Sequence, residues 1–244
     1  RPTNVTKWAT GTLSDRSRND TTEYYDDLAL WVLGQVKKET NVNTSQVTSE
    51  TRYNDKAQPI QRLAFGRLIE SYGYNADGTL ASVTDGRNNT MSLSNWKRGL
   101  PQTIQYPDQT GDSAVVDDNG WIASTTDENT FTTSYAYDTA GRLKSISYPS
   151  ADSNTWYPTN ITFSRRDVQE HGLAPGHWMQ STVTGNRAKN IFLDELWRPV
   201  LSHEWDGNDL AGTLRTTATR YDDQNRPIFT SYPGNQTTAP TQGV

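Results

Sequence analysis

The sequence predicts an all-β protein of repeated hairpins that stack into a spiralling sheet or solenoid. Three observations carry this expectation: a motif that returns about every 21 residues, turn residues at a fixed phase of that motif, and a composition too polar for a thick core. YDTAGRLKSISYP at Tyr137 to Pro149 recurs as YDDQNRPIFTSYP at Tyr221 to Pro233, with thirteen positions in register. Copies start at residues 53, 74, 96, 116 and 137, spaced 21, 22, 20 and 21 apart, and such a period is the mark of a repeat architecture.

Each unit reads as an aromatic closing one strand, a short turn, and a second strand. Asp77, Asp118, Asp138 and Asp222 fall where an Asx side chain caps a turn, and Gly78, Gly120 and Gly141 fall where a positive φ is wanted. After the turn, Leu143, Ser145 and Ser147 alternate with Lys144, Ile146 and Tyr148, the period of a strand. Weaker copies read FLDELWRPVLSHEWD, with its register starting at Phe192 or Leu193, and YDDLALWVLGQV from Tyr25.

Only 32% of the 244 residues are hydrophobic, with 17 Gly besides, and mean hydropathy is −0.84, below the 45–50% apolar share usual in globular domains. Yet there are 8 Trp, 12 Tyr and 5 Phe, which a disordered chain would not carry. A sheet one layer thick, covered by its neighbours along the stack, reconciles the two.

The period divides the chain into degenerate units over 1–52, regular repeats over 53–149, an irregular insertion or degenerate units over 150–190, further repeats over 191–233 and a polar tail over 234–244. Within the insertion, NITFSRR and WMQSTVTG read as strands, with VQEHGLAPGHW a loop between them. Arg1 follows neither an initiator Met nor an apolar leader, and both ends read as cut from something longer.

Tyr137, Asp138, Gly141, Arg142 and Leu143 fully match the motif of the RHS-repeat, or YD-repeat, proteins, which this chain resembles. Tyr221, Asp222 and Arg226 match with Asn225 in place of the Gly, and Tyr74 and Gly78 match with Asn75 in place of the Asp. The resemblance implies a segment of a hollow shell, a wall that encloses or presents a C-terminal toxin or effector in bacterial relatives and belongs to an adhesion protein in teneurins. Implied partners are flanking YD repeats and an effector of the same parent protein. Implied localisation is secreted or at the cell surface of a bacterium. Family members that release a toxin carry a DPxGL-like self-cleavage segment, and this chain has no Asp-Pro.

Other chemistry is thinly represented. Without cysteine there is no disulfide or thiolate site. A net charge of −5 leaves no basic face for nucleic acid, and no apolar run reaches the roughly 18 residues of a membrane helix. No GxSxG, HExxH or phosphate-binding loop is present, so no catalytic residue, cofactor or metal is expected. His171 and His177, beside Glu170, read as part of a solvated loop rather than a metal site, and the pairs Asp26-Asp27, Asp117-Asp118 and Asp222-Asp223 read as turn caps. The repeat-phase aromatics Tyr74, Trp96 and Tyr137 read as packing, with Gly78, Gly120, Asp138, Gly141, Arg142, Tyr221, Asp222 and Arg226 fixing turns. The alternative reading is a carbohydrate-binding or cell-surface adhesion module using exposed aromatics, with out-of-phase Trp156, Tyr157 and Trp178 the candidates for stacking on a glycan. The sequons at Asn4, Asn19, Asn43, Asn88, Asn160 and Asn235 reflect a chain rich in Asn and Thr.

Overall fold

The computed structural model describes residues 2–8, 17–150 and 155–244. Nineteen strands and one four-residue helical turn, α1 (Leu210–Thr213), account for its regular structure. Sequence-adjacent strands pair antiparallel within each of two units, so the chain runs as a meander of hairpins.

The first unit spans Arg1–Gly120. Its strands are β1 (Asn4–Trp8), β2 (Ser17–Asp27), β3 (Val32–Asn41), β4 (Gln46–Tyr53), β5 (Pro59–Ala64), β6 (Arg67–Tyr74), β7 (Leu80–Asp85), β8 (Thr90–Ser94), β9 (Thr103–Gln105) and β10 (Gly111–Val116). Each pairs with the next. Only Ala57 and Val116 are buried hydrophobics among its described residues, as a single polar layer requires. Ser and Thr occupy both faces, which blurs the alternation that a sheet with one apolar side would show.

The second unit spans Trp121–Val244. It holds β11 (Ile122–Thr126), β12 (Thr132–Tyr137), β13 (Leu143–Ser147), β14 (Thr159–Arg166), β15 (His177–Thr184), β16 (Arg187–Leu193), β17 (Pro199–Asp206), β18 (Arg215–Tyr221) and β19 (Pro227–Thr230), again each paired with the next. Here one face does become a core: Phe192, Leu201 and Ala218, from three adjacent strands, are buried together, with Leu173 and Met179 packed against them.

One expectation about this unit holds and another needs correction. Within the stretch over 150–190, NITFSRR and WMQSTVTG form β14 and β15 as their sequence suggests, an eight-pair ladder from Thr159↔Thr184 to Arg166↔His177. Four residues of that stretch, 151–154, lie outside the described set. The tail over 234–244 is packed rather than free: Thr216 and Gly234 exchange backbone hydrogen bonds at 2.8 and 2.9 Å, Thr230 and Val244 do so at 2.7 and 2.9 Å, and Pro240 is buried. Backbone groups make that pairing, so the polar side chains gave no sign of it.

Candidate functional site

The repeat motif folds into one recurrent turn. At Asp138 the backbone N–H donates to the Arg142 carbonyl (2.9 Å) and the Gly141 N–H donates back to the Asp138 carbonyl (3.0 Å). The Asp138 carboxylate accepts from the N–H groups of Ala140 and Arg142, both at 2.9 Å, and from Arg142 Nε at 2.7 Å. Asp222 repeats every one of these contacts with Gln224 and Arg226, and Asp194 does so with Leu196 and Arg198. Amide and guanidinium donors hold the Asp138 and Asp222 carboxyls below their usual range, with the backbone donors of Arg142 and Arg226 the largest influence.

The fourth turn residue is left-handed each time: Ala57 at 58°, Gly78 at 87°, Gly120 at 88°, Gly141 at 80°, Trp197 at 61° and Asn225 at 63°. A bulge lies immediately before, where the register shifts at Tyr53, Tyr74, Tyr137, Leu193 and Tyr221. This is a type I turn closed by a left-handed residue. It also fixes the register left open at Phe192 or Leu193, because Asp194 is the cap and Leu193 the start. In the unit starting at Val116 the cap is Asp117, which accepts from the Asn119 N–H at 2.9 Å. Asp118, expected as the cap, is instead exposed and pairs with Lys97 at 2.9 Å. Likewise Asn75 opens the turn before Gly78, and Asp77 caps Thr79 inside it. Trp96 heads a different, two-residue turn with Arg98 and Gly99 both left-handed.

The aromatic that opens a unit reaches back to an earlier strand. Tyr74 Oη donates to the carbonyl of Pro59 (2.8 Å), Trp96 Nε1 to that of Leu80 (3.0 Å), Tyr137 Oη to that of Ile122 (2.9 Å) and Tyr221 Oη to that of Pro199 (3.1 Å). Pro59, Leu80, Ile122 and Pro199 are the first residues of β5, β7, β11 and β17. Turns are joined as well: Gln58 Nε2 donates to the Gly78 carbonyl at 3.1 Å, and Arg198 donates to Asn225 Oδ1 at 2.8 Å while lying over the Tyr221 ring. At Tyr74, Trp96, Tyr137 and Tyr221 a unit is thus bonded through a side chain to the one before it.

The three glycan candidates do not form one platform. Tyr157 packs at Gly185, just past the end of β15, and Trp178 is the second residue of that strand. Seven residues at about 3.3 Å each put these two places roughly 23 Å apart. Trp156 lies by Tyr148. Trp178 instead stacks on Trp197 at 5.5 Å, with the Arg142 guanidinium 5.7 Å from its ring. Sequence reasoning passed over Trp197, whose signal was a bulky residue where its repeat counterparts carry Gly, Ala or Asn.

His177 is buried and His171 half-buried, so a solvated loop does not describe His177. The chain's three histidines gather around Phe192: ring centroids lie 4.5 Å from it for His171, 6.2 Å for His177 and 5.3 Å for His203, and His171 stands 5.0 Å from His203. Among the described residues no three His, Asp or Glu side chains converge on a metal position.

A sheet of hairpins with a recurrent Asx-capped turn, several of them bonded by an aromatic to an earlier strand, defines a structural repeat array. The family model for the RHS Repeat matches residues 116–153, the stretch that contains the Asp117 and Asp138 turns, so that stretch of the chain carries an RHS repeat. Mouse and human Teneurin-4 are each 24% identical over 118 residues, 39% of this chain and 4% of theirs, so the chain spans a small part of the curated relatives it matches. Among solved structures, the Photorhabdus luminescens Tc holotoxin pore is 13% identical over 92% of this chain and 14% of that chain, with a TM-score of 0.44. TcdB2-TccC3 is 14% identical over 88% of this chain and 11% of that chain, with a TM-score of 0.44. No helix among the described residues is long and apolar enough to cross a membrane.

Proposed function

We propose that this chain is a non-catalytic wall segment of a larger RHS-repeat protein, exported from a bacterium, and that the wall encloses or presents a C-terminal effector. The observation that carries this reading is the bond from a repeat aromatic to the carbonyl that opens an earlier strand, seen at Tyr74, Trp96, Tyr137 and Tyr221. A unit that binds its predecessor the way its successor binds it extends without limit, as a wall must. The sparse burial in the first unit supports the same reading, since a sheet one layer thick has two wetted faces. A polar inner face would hold a cargo without binding it tightly.

The test is protease protection in the intact parent protein. Peptide mapping of the native source protein should find further YD repeats and a distinct C-terminal domain, and that domain should resist protease until the wall is unfolded. A C-terminal domain cut as fast in the parent as when free would overturn enclosure, and a mature protein consisting of these residues alone would overturn the wall.

A further inference from the structure

His203 projects from β17 into the most buried part of the second unit and touches the segment 234–244. Its Nε2 stands 3.0 Å from the Thr237 carbonyl. A carbonyl only accepts, so Nε2 carries the proton and Nδ1 is the atom left to titrate. We infer that His203 is an acid-sensitive latch: in its neutral form it holds segment 234–244 against β18 and β19, and on protonation it lets that segment go.

The surroundings make the neutral form the one that fits. His203 is 8% exposed. On β16 its register partner is Asn190, and on β18 it is Thr216, which is fully buried; neither is an anion. Phe192 closes another side, and His171 approaches from the loop between β14 and β15. Glu170, the carboxylate whose charge acts on His203, is already engaged by Arg166 Nε at 2.7 Å, with His177 Nε2 at 3.3 Å. Asp194 and Arg198, lining the cleft behind His171, are paired with each other, and Arg220 lies over Phe229. Burial, reinforced by the facing His171, holds the His203 imidazole below its ordinary range, against an opposing pull from Thr237 and Glu170.

A histidine with a depressed folded pKa favours the folded contact above the unfolded value, near 6.5, and that contribution is lost as pH falls from there toward the folded value. What lets go is defined by the contacts. The bonds Thr216 to Gly234, Tyr232 to Gln242 and Thr230 to Val244 hold the segment on the sheet, and only Pro240 is buried within it. The segment is therefore the part that opens at least cost.

Hydrogen exchange of the whole chain, corrected for the intrinsic pH dependence of exchange, reads this directly. From pH 7.5 to 5.5 the amides of Tyr232, Gly234 and Val244, which are bonded across this contact, should lose protection, while β16 and β17 keep theirs. His203→Gln, which can still donate to Thr237 but does not titrate, should remove that pH step. Tail protection that stays level with pH, a loss shared equally by β16 and β17, or a step that survives in H203Q would each overturn the latch. Should H203Q not fold, the wild-type imidazole proton of His203 followed by NMR supplies the second test. Its titration midpoint must coincide with tail opening, and a separate midpoint overturns the inference.

Discussion

Tyr137 and Ile122 are joined by a hydrogen bond from phenol to carbonyl of 2.9 Å, and the Tyr137 ring packs 5.2 Å from Trp121. The aromatic of the motif therefore does two things at once: it satisfies the carbonyl that opens β11 and fills the space above it. A phenylalanine would keep the second role and lose the first.

The two roles can be separated by mutation. Tyr137→Phe should cost about 1 kcal/mol, the net worth of one hydrogen bond, and Tyr137→Ala about 3 kcal/mol once the ring contacts go too. Thermal or urea unfolding monitored on the second unit checks both values. Equal effects of the two variants would show that the ring contributes nothing beyond its hydroxyl.

Acid should loosen the Asp turns in a second, lower window than the His203 latch. The Asp138 and Asp222 carboxyls titrate below their ordinary value near 3.9 because turn amides and Arg142 or Arg226 donate to the ionised form. Their contribution is complete above the unfolded value and is lost as pH falls through the folded one. Denaturant midpoints between pH 5 and 2 should therefore fall more steeply for the wild type than for Asp138→Asn plus Asp222→Asn, which lacks those titrations. Parallel curves would mean the caps do not contribute.

Glycine is required at some copies of the turn and merely suitable at others. A Cβ on Gly141 would stand 2.7 Å from Trp121 Cζ2, and the residue sits at φ 80°. Gly141→Ala should thus cost about 2 kcal/mol or more, from left-handed strain together with overlap. Asn225 occupies the same phase at φ 63°, and Asn225→Gly should keep the turn and cost about 1 kcal/mol, the worth of the bond lost from Arg198. Melting temperatures of the two variants decide it.

How much of this was legible in the sequence differs by element. Where Tyr, Asp, Gly and Arg all survive, as over Tyr137 to Arg142, side-chain identity states the turn geometry, because each residue has its own bond to make. At Trp197 the left-handed position carries a bulky residue, so the turn signature vanished although Asp194 and Arg198 keep every contact. The one-residue ambiguity between Asp117 and Asp118 has a similar origin, since adjacent carboxylates look alike until backbone amides choose between them. The docking of 234–244 was invisible because main-chain groups make it, and the core around Phe192 because β16, β17 and β18 contribute one buried residue each.

That core leads to the last prediction. Phe192 is 3% exposed and packs with Leu201 and Ala218, whereas the first unit has only Ala57 and Val116 buried among its described hydrophobics. Phe192→Ala should cost about 3–5 kcal/mol, and its cavity is felt in β16, β17 and β18 together because the cluster draws one residue from each. In the wild type the amides of those strands should be the slowest to exchange, while β3, β4 and β5, held by ladder bonds and turn caps with little apolar burial, should open at lower free energy. Slower exchange in β3 to β5 than in β16 to β18 would show that bonding along the repeat, rather than apolar packing, sets local stability in this sheet.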